Sequence, residues 1–198
     1  MVMSLDGAVV DRNGRSGALS TQPDRLLFNQ LRRDCDVVLV GAGTVRSERY
    51  QQAPWPVAVV SHTVNLPVDL PLLDPSGGPV IVLTSELGAE RAPSWVQQRC
   101  DVVACGSDHV DLNQAMNWLD AAGLRRVHCE GGTTLLSALV EKDLVDELLV
   151  TVSPQLLGGG GAIHLVDLPY VLDPVRTGRF EHVLTSDETI FFKVKMNR

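Results

Sequence analysis

Short runs of apolar residues recur along the chain, and within each run the apolar residues are consecutive rather than alternating with polar ones. Consecutive Val, Ile and Leu residues in short runs are typical of strands that are buried on both faces of a parallel sheet. The pattern predicts strands at Asp36–Val40, Val57–Val60, Pro79–Thr84, Asp101–Cys105 and Leu148–Val152.

Amphipathic segments alternate with these strands and predict helices. In the first segment Thr21 takes the N-cap position and Asp24 follows three residues later, which is an acidic variant of the capping box. The second segment has apolar residues at helical spacing and ends at Gly123, a residue type that favours the conformation found just after helices. The third segment repeats the apolar stripe. The predicted helices are Thr21–Arg33, Asp111–Gly123 and Thr133–Asp143.

The pattern changes from Phe180 onward, where two extended runs flank the residues "SDE" and predict a β-hairpin. A chain of 198 residues fits one domain, so we expect a single domain over residues 1–198. The elements together predict an α/β fold with a mainly parallel central sheet, helices on both faces and a C-terminal antiparallel hairpin.

The overall charge narrows the choice of ligand. A net charge of −7 and a pI near 5.1 argue against a broad nucleic-acid surface. A small anionic ligand would instead need a local cluster of cations. One stretch supplies such a cluster, and its arginines are Arg25, Arg32, Arg33, Arg46 and Arg49.

The cysteines and the hydropathy pattern indicate a cytoplasmic protein. The four cysteines have no C-x-x-C spacing, so we expect reduced thiols and no metal site. No apolar segment approaches the roughly 20 residues that a membrane helix needs, and no signal peptide is recognisable.

Two strand-to-helix connections contain glycines. The first has Gly41 and Gly43, but Arg46 stands where the G-x-G-x-x-G fingerprint has its third glycine, so a tight turn without a ligand remains an equal alternative. The second has Gly131 and Gly132. Such connections direct backbone N–H groups toward an anion. Two of them in one small sheet favour a dinucleotide, which has two phosphates to bind.

Two further positions point to the same ligand class. Glu130 ends its predicted strand, where α/β sheets place ligand-binding groups; the alternative is that it accepts hydrogen bonds from nearby backbone N–H groups at a helix start. Ser61 and Thr63 follow the strand Val57–Val60, where an NAD-binding protein carries an acid for the ribose 2′-hydroxyl. These neutral side chains favour NADP.

Five motifs in order carry a family resemblance: "MSLDG", "LSTQPDRLLFNQLR", "DVVLVGAGTVR", "CEGGTTLL" and "LVDELLVTVSPQLLGGG". The chain resembles the C-terminal reductase domain of the riboflavin-biosynthesis deaminase/reductase, a pyrimidine reductase that is similar in fold to dihydrofolate reductase. The resemblance runs from Met3 to about Gly161, and more loosely through the hairpin. The zinc motifs of the family's deaminase domain are absent, so the chain looks like the stand-alone form.

The resemblance implies a reaction and its cofactor. The family reduces 5-amino-6-(5-phosphoribosylamino)uracil to the ribitylamino compound, with NADPH as the hydride donor and C1′ of the opened ribose as the acceptor. It also implies a homodimer, with which the apolar run "TIFFKVKM" is consistent.

The resemblance further implies roles for individual residues. Glu130 matches an acid that contacts the substrate, either by binding uracil N–H groups or by handling a proton at the ribose. The implied substrate-binding residues are Ser16 and Arg32, with Arg46 or Arg49 as further candidates for the phosphate. The implied cofactor-binding residues are Gly41, Gly43, Thr44, Glu48, Thr63, Gly131, Gly132, Thr133, Thr134 and Leu135.

Two alternatives stay open at this point. Asp24 and Phe28 have the D-x-x-x-F spacing of the pterin-binding acid and aromatic residue in dihydrofolate reductases, which would make Asp24 catalytic rather than a capping residue. In addition, "SERYQQAP" replaces the "DDP-x-L" that the family often has after "GTVR". That departure motivates the second alternative, a non-catalytic homologue that binds NADP.

Overall fold

The computed structural model describes residues 1–158 and 163–197. The described strands are, in chain order, β1 (Val2–Met3), β2 (Val37–Gly41), β3 (Val57–Val60), β4 (Val80–Thr84), β5 (Asp101–Ala104), β6 (Val127–Cys129), β7 (Glu147–Val152), β8 (Gly178–Ser186) and β9 (Thr189–Met196). The α-helices are α1 (Gln22–Asp34), α2 (Ala42–Ser47), α3 (Glu86–Glu90), α4 (Ser94–Arg99), α5 (Leu112–Ala121) and α6 (Thr133–Glu141), and Pro71–Leu73 form a 3-10 turn.

The chain divides into two compact units, and the boundary lies within α1. One unit contains residues 31–132, and the other contains residues 1–30 and the chain from residue 133 onward. The single domain that the sequence suggests stays a prediction.

The unit of residues 31–132 is built on a five-stranded parallel sheet with the order β5-β4-β3-β2-β6. From β2 the chain adds β3, β4 and β5 outward in one direction, and it then returns to place β6 on the other side of β2. The central residue of β2, Leu39, pairs with Ala58 of β3 and Cys129 of β6. The residues Val37–Val40 are fully buried, which explains why the strand reads as a continuous apolar run.

The other unit contains a four-stranded sheet with the order β1-β7-β9-β8. Strand β1 runs parallel to β7, and β9 runs antiparallel to both β7 and β8. Asp187, in the left-handed region at φ 51°, makes the tight turn between β8 and β9. The predicted C-terminal hairpin is therefore confirmed.

The α/β class with parallel strands and a C-terminal antiparallel hairpin is confirmed, with one difference in detail. The strands belong to two separately hydrogen-bonded sheets, because β7 pairs with β1 and β9 rather than extending the sheet that ends at β6. The short helices α3 and α4 escaped prediction, since five or six residues do not establish a helical period. Within the glycine run that ends the family motif, only Gly158 falls in the described residues.

Close packing at one glycine makes the sheet of residues 31–132 sensitive to a single methyl group. A Cβ on Gly88, in α3, would lie 2.8 Å from the carbonyl oxygen of His62 and would also collide with the side chain of Thr84. A backbone carbonyl cannot move without disturbing the strand before it. We expect Gly88→Ala to lower the free energy of unfolding by about 1–3 kcal/mol, measured by urea denaturation.

Gly43→Ala is the matched control, because a Cβ at Gly43 would meet nothing within 4 Å. Its stability should stay within about 1 kcal/mol of the parent protein or rise slightly, since alanine favours the helix. Equal stability of the two variants would contradict the packing at Gly88.

Candidate functional site

The two glycine-containing connections meet in the structure. Gly41 ends β2, Gly131 follows β6, and these two strands are parallel neighbours. The N–H of Gly41 donates a hydrogen bond of 2.7 Å to the carbonyl oxygen of Gly131. A Cβ on Gly132 would lie 2.7 Å from the hydroxyl oxygen of Thr44. The two connections, which we call the paired glycine corners (Gly41–Thr44 and Gly131–Gly132), thus form one surface.

The paired glycine corners contain one glycine with a left-handed backbone and another that leaves open space beside the backbone. Gly131 has φ 80°, a conformation that residues other than glycine rarely adopt, and the Gly131–Gly132 peptide is cis. Gly43 is exposed and has open space where a side chain would stand. The chain changes its direction of sheet growth between β2 and β6, which is the position where open α/β sheets bind ligands beyond the carboxyl ends of their strands.

A buried ion pair lies next to the second corner. The Glu130 side chain is only 2% exposed, and the Arg32 side chain is 23% exposed. Arg32 donates from Nε to Oε1 of Glu130 at 2.6 Å and from Nη2 to Oε2 at 2.8 Å. Two parallel hydrogen bonds of this kind fix the plane of the guanidinium group against the carboxylate.

Burial controls the ionisation of the acid and of its neighbour His128. Loss of solvent raises the pKa of Glu130 above its ordinary value, and the two hydrogen bonds from Arg32 oppose that rise. Nε2 of His128 lies 3.8 Å from Oε1 of Glu130. Burial, with a contribution from the Arg32 charge, lowers the pKa of His128 to about 4. At neutral pH the site therefore contains a neutral imidazole beside an acid–guanidinium pair.

Comparison with known proteins assigns the family. The family model described as the RibD C-terminal domain matches residues 1–192. This chain belongs to the RibD C-terminal domain family. It is 33% identical to the 2,5-diamino-6-ribosylamino-4(3H)-pyrimidinone 5′-phosphate reductase of Methanothermobacter thermautotrophicus, over 83% of this chain and 80% of that protein. The resemblance seen in the motifs is thereby confirmed.

Solved structures agree with the fold of a RibD C-terminal domain. A pyrimidine reductase-like protein from Corynebacterium diphtheriae superimposes with a TM-score of 0.83 at 22% identity, covering 100% of this chain and 90% of that one. Dihydrofolate reductase from Enterococcus faecalis gives a TM-score of 0.54 at 11% identity, covering 100% and 94% of the two chains. At these identities the likeness concerns the fold alone, and the dihydrofolate reductase-like fold is confirmed.

Within residues 31–132, this RibD domain brings several predicted site residues together. The paired glycine corners, which include Thr44, lie next to Glu130, and Glu130 forms the ion pair with Arg32. Glu48 is the C-cap of α2, and Thr63 lies exposed in the connection after β3.

The other two predicted arginines contact a different segment. Arg46 donates to the carbonyl oxygen of Asn65 at 3.0 Å, and Arg49 forms an exposed ion pair with Asp69 at 3.4 Å. A phosphate-binding role for Arg46 or Arg49 stays a prediction.

The remaining predicted residues belong to the other unit. Ser16 is half-buried in a loop, and Thr133, Thr134 and Leu135 form the first turn of α6, with Leu135 buried. Their roles in binding stay predictions.

Asp24 has local partners in the first turn of α1. Its N–H donates to the Thr21 hydroxyl at 3.3 Å, as the capping box requires, while its carboxylate accepts from the Ser20 hydroxyl at 2.6 Å. The first contact matches the capping box, and a catalytic role of Asp24 stays a prediction.

Sequence reasoning missed Tyr50, whose hydroxyl oxygen lies 3.2 Å from Nη2 of Arg32. Tyr50 stands in "SERYQQAP", the stretch that departs from the family pattern, and that departure was the only available signal. Among the described residues, no three His, Cys, Asp or Glu side chains converge as metal ligands, and no helix is long and apolar enough to cross a membrane. The four cysteines, which all lie in the part of the chain that the structure describes, form no disulfide.

The low pKa of His128 predicts a defined loss of stability in acid. The unfolded chain takes up a proton near pH 6.5 while the folded protein resists protonation down to about 4, so stability falls as the pH is lowered through this range. Between pH 7 and pH 4.5 we expect the parent protein to lose about 2.5 kcal/mol more than His128→Gln, measured by urea denaturation at each pH.

The exposed His182 provides the comparison. His182→Gln should lose as much stability as the parent protein over the same pH range. If His128→Gln also follows the parent curve, burial of a neutral His128 is not the cause.

Proposed function

We propose that this RibD C-terminal domain catalyses the NADPH-dependent reduction of a 5-phosphoribosylaminopyrimidine to its ribitylamino product in riboflavin biosynthesis. The observation that carries the proposal is the contact between the paired glycine corners at the point where the sheet changes direction, with a buried acid–guanidinium pair beside it. The names of the relatives support the reaction class.

The paired glycine corners suit a nicotinamide dinucleotide. Gly43 and Gly132 leave space for a phosphate-bearing group to approach the backbone, where a Cβ would fill that space or press on Thr44. The neutral Ser61 and Thr63 after β3 favour NADPH over NADH. When bound, the cofactor would supply the hydride for C1′ of the opened ribose. The protein would hold the reacting carbons together and exclude water.

The Glu130–Arg32 pair suits the substrate. A carboxylate accepts hydrogen bonds from the N–H groups of a pyrimidine, and the guanidinium partner opposes the rise in the pKa of Glu130 that burial causes. The related reductase from Methanothermobacter is named for the 2,5-diamino compound, whereas the motifs suggested the deaminated uracil. Both compounds present N–H groups to an acid, so both belong in the test.

The direct test mixes the protein with NADPH and either pyrimidine phosphate and follows NADPH absorbance. Oxidation with one or both compounds supports the proposal and identifies the preferred one. NADPH binding without turnover of either would contradict it and favour a non-catalytic homologue. Turnover of dihydrofolate that Asp24→Asn abolishes would instead identify a dihydrofolate reductase.

The buried pair predicts a specific loss of activity. Glu130→Gln removes the charge that Arg32 needs and one acceptor for the pyrimidine. We expect kcat/KM for the pyrimidine to fall about 10- to 100-fold, because loss of a hydrogen bond to a charged group costs about 1.5–3 kcal/mol. The dissociation constant for NADPH should change much less, since the paired glycine corners would bind the cofactor through backbone N–H groups that this substitution leaves in place.

Asp36→Asn is the matched control. Asp36 also accepts hydrogen bonds from Nε and Nη2 of an arginine, Arg126, but this pair is more exposed, with the Arg126 side chain 70% and the Asp36 side chain 25% accessible. Its kcat/KM should change by less than about threefold, because Asp36 precedes β2, at the end of the strand opposite to Gly41. Equal losses in the two variants would argue against a role of Glu130 in the reaction.

A cytoplasmic homodimer is part of the proposal. Strand β8 forms an edge of its sheet and exposes Phe180, Val183 and Leu184, which are 64%, 57% and 58% accessible. Exposed apolar edge strands are common sites of association. We expect light scattering to give twice the mass of one chain, and Val183→Lys to shift the protein toward the monomer. A parent protein that is monomeric at assay concentration would refute this part.

A further inference from the structure

We propose that Tyr50 is a positioning residue that fixes the Arg32 guanidinium against Glu130 for substrate binding. The inference rests on the proposed function, because it concerns how the acid–guanidinium pair is presented. All the residues involved belong to the unit of residues 31–132.

The backbone of Tyr50 is held independently of Arg32. Its N–H donates to the carbonyl oxygen of Val45 at 3.1 Å, and its carbonyl oxygen accepts from the N–H of Leu72 at 3.0 Å. The preceding residue, Arg49, has φ 45° and turns the chain out of α2. The ring itself packs against the apolar core of this unit. The fold therefore sets the place of the phenol.

Arg32, in contrast, has a long side chain that needs external contacts to hold one orientation. The carboxylate of Glu130 supplies two contacts, and the phenol oxygen of Tyr50 supplies a third at 3.2 Å from Nη2. Nη2 carries two hydrogens, so one is directed to Glu130 and the other to Tyr50. The guanidinium carbon also lies 5.5 Å from the centre of the Tyr50 ring, within the range of a cation–π interaction.

The hydrogen bond to Tyr50 restricts movement of the Arg32 guanidinium group. The buried carboxylate fixes one edge of the guanidinium group of Arg32, whose side chain is 23% exposed. The Tyr50 hydroxyl accepts a hydrogen bond from Nη2 of Arg32, and the backbone of Tyr50 is itself held by hydrogen bonds to Val45 and Leu72. Reacting groups must be held to well within an ångström for efficient catalysis, so loss of the hydrogen bond to Tyr50 should weaken productive substrate binding.

The kinetic test uses Tyr50→Phe, which removes one oxygen and retains the ring and its packing. We expect KM for the pyrimidine phosphate to rise about tenfold, as for loss of a hydrogen bond to a charged group, with KM for NADPH and the melting temperature nearly unchanged. Tyr170→Phe is the matched control, since Tyr170 also hydrogen-bonds a glutamate, Glu141, but belongs to the other unit. It should behave as the parent protein.

A double-mutant cycle separates positioning from a general structural role. Lysine at position 32 has no Nη2, so Tyr50→Phe should have almost no further effect on KM in an Arg32→Lys background. Additive effects of the two substitutions would overturn the inference. So would a Tyr50→Phe variant whose KM for the pyrimidine is unchanged.

A measurement without substrate makes the inference independent of the proposed function. In heteronuclear NMR of isotope-labelled protein, the Nη signals of Arg32, assigned by their loss in Arg32→Lys, should show slow rotation of the guanidinium group. Faster rotation in Tyr50→Phe supports the positioning role even if neither pyrimidine proves to be the substrate. Unchanged rotation in Tyr50→Phe overturns it, whatever the activity of the protein.

Discussion

The candidate site depends on the parallel pairing of β2 and β6. This pairing places the ends of two strands that are far apart in the sequence next to each other, and the hydrogen bond from Gly41 to Gly131 continues it past the last paired residues. The chain can bring the two ends together because it builds the sheet outward from β2 and then returns to the vacant edge. Without this return, each glycine connection would be an ordinary turn.

The polar half of the site follows from the same pairing. The N–H of Glu130 donates to the carbonyl oxygen of Leu39 at 2.9 Å, so the acid is fixed to the end of β2 by its backbone. Its side chain is buried there, and a buried carboxylate requires a partner. Arg32, in the last turn of α1, supplies that partner. Burial raises the pKa of Glu130, and the hydrogen bonds and charge of Arg32 oppose that rise.

Much of this fold could be read from local patterns. The runs of Val, Ile and Leu predicted β2 to β5 and β7 to within about one residue at either end, because short runs of β-branched and apolar residues favour buried strands. Thr21 predicted the start of α1, since a side chain at the N-cap satisfies a nearby backbone N–H. The short helices α3 and α4 could not be predicted in this way, because five or six residues are too few to show a helical repeat of apolar positions, and such short helices depend on tertiary packing for their stability.

By itself, the sequence determined the class of fold, the two glycine connections, the acid at position 130 and the family, since each of these depends on neighbouring residues or on the order of motifs. Only the tertiary structure decided which of the arginines meets Glu130, that Arg46 and Arg49 contact another segment, and that Tyr50 joins the pair. These contacts connect residues up to 98 positions apart. A long flexible side chain has no local preference for one partner, so the packing of distant segments makes that choice.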